Sequence, residues 1–191
     1  VPKGIHRLPH WPVDVFEKLV PPTPHRPSKL VDKQLVRRDL CELSPFAWKG
    51  RLCQMDCIRP ASEGGASEFY LLFKEAETGN ELGRCAEGHG LASLIVYKGT
   101  FYVYASRWDK GDWRDVTLFK SPDLKHWESK VVLKGENEGI FNTSVCKGRD
   151  GFVMAYESSD PAYPPFTVKF AHSTDLENWT KIPEATFGTN R

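Results

Sequence analysis

The sequence predicts an all-β protein: a β-propeller of four-stranded antiparallel blades, with about three blades in this chain. Three observations predict it. Ser121-Pro-Asp-Leu-Lys-His-Trp127 returns as Ser173-Thr-Asp-Leu-Glu-Asn-Trp179, with Ser, Asp, Leu and Trp in place (121 to 173). A repeat of about 50 residues built of short strands points to propeller blades. Three times, a strand-like run meets a Gly-containing turn and a second run, as β-hairpins do: Ser44–Trp48 with Arg51–Met55, Ser93–Tyr97 with Phe101–Tyr104, and Ser144–Cys146 with Phe152–Tyr156. The palette is 12% aromatic, with six Trp and eleven Phe, which suits packed sheets rather than a disordered chain.

Taken in order, residues 1–38 are rich in proline and read as an extended arm, since proline cannot donate to a sheet ladder. The blades then follow at about 39–87, 88–138 and 139–186. Each hairpin is followed by a third strand: Glu68–Lys74, Val116–Lys120 and Thr167–Ala171. A fourth is visible at Ser129–Leu133. Gly64-Gly65 reads as a flexible connector. The repeated Ser-x-Asp-Leu-x-x-Trp segment sits between two strands; its Asp can bond its own turn, and its Trp can fill the wedge between blades. Ala185–Arg191 is expected to enter the inner strand of a fourth blade. Three blades cannot close a ring, because propellers have about four to eight. The chain is therefore expected to be the N-terminal part of a larger propeller, completed by further blades or by a second chain.

The formal net charge of +1 offers no basis for a nucleic-acid surface or a polybasic membrane anchor. Leu91–Tyr97, the longest apolar run, is too short to span a bilayer. The cysteines at 41, 53, 57, 85 and 146 are odd in number and form no C-x-x-C pair. They read as free thiols buried in strands, with one disulfide as the alternative, and lean toward a reducing compartment. No nucleophile elbow, phosphate loop or H-E-x-x-H is present.

The hairpin pattern places the start of each first strand and the loop after each second strand on one rim. Blade one contributes Asp39, Glu42, Ser44, Asp56 and Arg59. Blade two contributes His89, Arg107, Trp108 and Asp109, and blade three Asn142, Glu157, Ser158 and Asp160. Carboxylates, a histidine, arginines and an indole around a pocket suit a carbohydrate. Carboxylates do acid–base work on a glycosidic bond, and an indole face stacks on a sugar ring. Asp39, Glu42 and Glu157 are the catalytic candidates; His89, Arg107, Trp108, Asn142 and Asp160 are the substrate-binding candidates. The plainer readings are strand-entry residues for Asp39 and Glu42, a turn-shaping residue for Asp160, and packing for the tryptophans.

The Lys-Gly hairpins, the aromatic third strands, the Ser-x-Asp-Leu-x-x-Trp turn and Asn142–Val145 followed by Phe152–Glu157 resemble the five-bladed β-propeller glycoside hydrolases, which include glycoside hydrolase family 43 and the invertase-like enzymes. The resemblance covers about residues 39–191. It implies a base from the first blade, Asp39 or Glu42, with Glu157 as an acid or a substrate-binding carboxylate. The chain departs from the family pattern in carrying Asp39-Leu40 and Ser44-Pro45 rather than an Asp-Pro, and Asn142 where an Asp is expected. The resemblance allows a central calcium, although no residue here demands a metal or other cofactor. The expected function is hydrolysis of a poly- or oligosaccharide by a carboxylate pair around the propeller axis. The alternatives are a non-catalytic carbohydrate-binding propeller and a structural scaffold.

Overall fold

Every strand pairs only with its neighbours in sequence, so the chain folds as a run of antiparallel meanders. The computed structural model describes residues 40–59, 69–109 and 112–188, and among them there is no helix. The Pro-rich arm and Gly64-Gly65 lie outside the described residues. The first sheet has the order β1 (Leu40–Trp48), β2 (Arg51–Ile58), β3 (Tyr70–Glu75), β4 (Glu81–Cys85). The second has β5 (His89–Tyr97), β6 (Thr100–Asp109), β7 (Asp112–Ser121), β8 (Glu128–Leu133). The third has β9 (Ile140–Lys147), β10 (Phe152–Ser158), β11 (Thr167–Ser173), β12 (Thr180–Phe187). These are three blade-like, four-stranded antiparallel sheets. Ala185–Phe187 belongs to β12, the outer strand of the third sheet, and not to the inner strand of a fourth. Continued pairing with Val168 and Lys169 holds it there.

The local chemistry explains the hairpins. Lys49-Gly50 and Lys98-Gly99 are two-residue loops with positive φ at both positions (49° and 73°, 49° and 80°). That is the type I′ turn, whose twist matches the strands it joins.

Side chains alternate across each strand, and both faces of the middle sheet are apolar. Phe101, Val103 and Ala105 of β6 point toward the first sheet, where they meet Met55, Leu71 and Phe73. Tyr104 lies on the other face, with Leu118, Met154 and Tyr156, in the wedge against the third sheet. Phe73, Phe101 and Tyr104 have no exposed surface. Burial of such a side chain contributes on the order of 2–3 kcal/mol.

The repeated turn closes each wedge. Ser121 Oγ accepts from Leu124 N (2.9 Å), and Asp123 Oδ1 accepts from Lys125 N and His126 N (both 2.9 Å). Ser173 and Asp175 repeat this pattern with Leu176, Glu177 and Asn178. The His126 N–H and ring for Asp123, and the Asn178 side-chain amide followed by main-chain N–H donors for Asp175, hold both aspartates well below the usual carboxylate range. Leu124 and Leu176 adopt φ of 66° and 68° and are buried in the two wedges. Trp127 stacks on Phe73 of the preceding sheet (5.3 Å, 27°), and Trp179 meets Tyr104 edge-on (5.5 Å, 87°). The Tyr104 hydroxyl donates to the Leu176 carbonyl (2.7 Å).

A second clasp joins the connector before β9 to the third sheet. Buried Glu138 accepts from Ser158, from Lys169 Nζ (2.8 Å) and from Lys181 Nζ (2.6 Å). Burial alone would raise its pKa, but the two ammonium groups and the hydroxyl outweigh that and hold it below the ordinary range.

Gly83 of β4 is where the first sheet meets the turn of the second. A Cβ there would overlap the Leu124 carbonyl oxygen. Gly83→Ala is expected to cost about 3 kcal/mol of stability, as overpacking against a backbone group does. Urea denaturation measures it, and a loss below about 0.5 kcal/mol, the range of an ordinary surface change, would contradict this packing.

Candidate functional site

The three inner strands, β1, β5 and β9, each carry a register shift near their start: between Leu40 and Glu42, between Gly90 and Ser93, and opposite Ala155–Glu157. Leu91 and Asn142 take positive φ there (52° and 51°). A bulge bends the strand and re-aims its side chains, and for leucine the left-handed region is strained. The same irregularity thus recurs at the rim end of every inner strand.

Two carboxylates of the predicted set lie near enough at this rim for the charge of one to act on the other. Glu42 is half-buried on β1, opposite Cys57. Burial raises its pKa; the Arg59 guanidinium opposes this, and the Glu157 carboxylate adds to it. Glu157, half-buried near the end of β10, accepts from Asn142 Nδ2 at 2.7 Å. Asn142 reaches it because its left-handed backbone turns the side chain at the bulge. The rim therefore brings together Glu42, Glu157, Asn142 and Arg59, drawn from the first and third sheets.

The other predicted residues are occupied elsewhere. Asp39 lies outside the described residues. His89 bonds Glu87 O through Nδ1 (2.9 Å) and Thr117 Oγ1 through Nε2 (3.0 Å), with Phe119 edge-on at 5.0 Å. A carbonyl only accepts, so Nδ1 carries the proton and Nε2 accepts from the hydroxyl. Burial first, and Arg107 to a smaller degree, push His89 below its ordinary value, against the Glu87 carbonyl. Arg107 pairs with Asp109 (3.5 Å) rather than with Glu157. Trp108 is half-buried and makes T-shaped contacts with Trp113 (5.0 Å) and Phe69 (6.0 Å). Asp160 binds Lys169 (2.6 Å) and caps its own turn through Ala162 N (2.9 Å), inside the Glu138 clasp. Asp56, read as a rim residue, is fully buried within β2, where Lys74 forms an ion pair with Oδ2 (2.6 Å) and Gln54 donates to Oδ1 (2.8 Å).

Arg59 and Trp113 gain weight from the structure. Trp113 stacks on Phe69 (5.6 Å, 26°), and the Arg59 guanidinium lies over both rings. Gly90 leaves room for this indole, since a Cβ there would stand 3.1 Å from Trp113 and 3.2 Å from Cys57 Sγ. The only hint in the sequence is the aromatic content of the β6–β7 hairpin, and nothing in it announces contact with Phe69. Cys53 and Cys85 are buried as expected, whereas Cys146 is exposed on β9. Among the described residues no group of three or more His, Cys, Asp and Glu side chains could hold a metal ion.

No protein-family model matches the sequence, and no curated protein matches it. A solved structure from Parabacteroides distasonis ATCC 8503, assigned as a glycoside hydrolase, is similar in fold. Its identity is 15% and its TM-score 0.56, over 75% of this chain and 50% of that one. The chain shares its fold with a glycoside hydrolase-like protein. An exo-β-1,3-galactanase from Clostridium thermocellum is 11% identical with a TM-score of 0.49, over 74% of this chain and 34% of that one. The chain thus spans about half the length of the first structure and a third of the second.

His89 supplies a test of the rim geometry. Because its folded pKa lies below the ordinary 6.5, the stability it contributes is full above pH 6.5 and is lost as pH falls through the folded value. Long-range 1H–15N spectra at neutral pH are expected to show a neutral ring protonated on Nδ1. A doubly protonated ring there, or an Nε2–H tautomer, would contradict the Glu87 and Thr117 bonds.

Proposed function

We propose that this chain forms the carboxylate-bearing part of a glycoside hydrolase site, with Glu42 and Glu157 acting on a glycosidic bond of a poly- or oligosaccharide. One observation carries the reading. Two carboxylates from different sheets converge on one rim closely enough for the charge of one to act on the other, and they differ in surroundings. Glycosidases need such a pair, one protonated and one ionised.

The family resemblance implies a base at Asp39 or Glu42, and Glu157 as an acid or a substrate-binding carboxylate. Electrostatics favour the opposite allocation. The raised pKa of Glu42 suits a general acid, which delivers a proton to the leaving oxygen. Glu157, with one oxygen held by Asn142, suits the partner that activates water or attacks the sugar. The separation of the two groups in a liganded state would decide between inversion and retention.

The proposal includes further blades, or a second chain, completing the ring. The face of the third sheet turned away from the second carries Ala155, Val168, Phe170 and Phe187 by strand alternation, and Phe187 is 68% exposed. An apolar sheet face of this kind suits another sheet packed upon it.

A binding-only reading is favoured by one detail: Asn142 stands where an acid is expected and uses an oxygen of Glu157. Release of reducing sugar from a glycan panel separates the two. Glu42→Gln and Glu157→Gln are each expected to lower kcat by 100-fold or more, on the order of a lost acid–base group, while glycan binding persists. Turnover that survives both substitutions would sink the carboxylate pair. Binding without any turnover in the unsubstituted protein would establish the second reading.

A further inference from the structure

The rim holds a guanidinium that the two-carboxylate chemistry leaves without a role. Arg59 follows β2 directly and is exposed. Its guanidinium lies 5.4 Å from the Phe69 ring centre and 5.8 Å from that of Trp113, over a stacked pair. A guanidinium held over aromatic rings by cation–π attraction still has N–H donors to offer a bidentate acceptor. Among the described residues, no carboxylate lies within ion-pairing distance of Arg59, whereas the second rim arginine, Arg107, is paired with Asp109. Arg59 is also near enough for its charge to act on Glu42.

We propose that Arg59 is a carboxylate receptor, and that the glycan taken at this rim carries a hexuronate residue whose carboxylate meets the guanidinium. The inference rests on the reading of this rim as a glycan site and names its substrate class. The charge balance supports it. The ionised partner Glu157 repels an anionic sugar, so an acidic glycan needs a fixed cation at the rim, while a neutral glycan does not. A planar fork held over two rings is matched to a carboxylate in shape as well as in charge. The competing role for Arg59 is adjustment of Glu42 through space. A lysine would largely preserve that role, because it keeps the charge, but would lose the bidentate geometry.

The experiment is calorimetric titration of the protein carrying Glu42→Gln, which prevents turnover. The probes are oligogalacturonates and glucuronate-bearing xylo-oligomers, each beside its carboxyl-reduced neutral counterpart. At least one acidic probe is expected to bind about 10- to 100-fold more tightly than its neutral twin, the range of hydrogen bonds to a charged group. Added salt should shrink that preference. Arg59→Lys and Arg59→Met should each remove most of the preference between the acidic probe and its neutral twin; the lysine variant guards against loss of folding. Equal affinity within every pair, or a preference that both variants retain, overturns the inference while the glycan site stands. Failure of every acidic and neutral probe to bind overturns both the inference and the glycan reading.

Discussion

A sheet with apolar residues on both faces has to be covered on both, and the rest of this structure follows from that constraint. The middle sheet sends Phe101, Val103 and Ala105 into one wedge and Tyr104 into the other. Stacking against both neighbours places β1, β5 and β9 side by side, so that their first residues share a rim. The repeated turn is the device that closes each wedge. Its Ser and Asp satisfy the turn backbone, its Leu enters the core, and its Trp reaches the preceding sheet. None of these residues approaches Glu42 or Glu157, and the turn holds the sheets that carry them.

The rim itself departs from regular sheet geometry at the corresponding place in each repeat. Bulges at the starts of the inner strands break the alternation that would otherwise send these side chains into the wedges. Asn142 shows the consequence: a positive φ aims its amide at Glu157. Where the wedges are apolar and closed, the rim gathers half-buried ionisable groups with few internal partners. Histidine and aspartate elsewhere on the rim are held by Thr117, Glu87 and Lys169, whereas among the described residues Glu42, Glu157 and Arg59 form no ion pair.

Much of the architecture was legible in the sequence because it is local. Lys-Gly turns, alternating aromatic strands and the Ser-x-Asp-Leu-x-x-Trp repeat encode their own geometry over a few residues. Glu81–Cys85 was less legible, since Glu-Leu-Gly-Arg-Cys has neither β-branched residues nor clean alternation, and it forms β4 through pairing with β3. The site was legible only in part. Glu42, Asn142 and Glu157 follow from strand register. The engagement of Asp160 by Lys169, the burial of Asp56 beside Lys74 and the reach of Trp113 to Phe69 depend on tertiary contacts that no local pattern encodes. The last of these hid the setting of Arg59.

The central claim is that Glu42 and Glu157 share one electrostatic site. Following the Glu42 carboxyl 13C shift against pH, in the protein and in Glu157→Gln, tests it most directly. The account predicts a midpoint above the ordinary 4.5 that falls when Glu157 loses its charge. A midpoint at or below 4.5, or one that Glu157→Gln leaves unmoved, would contradict it.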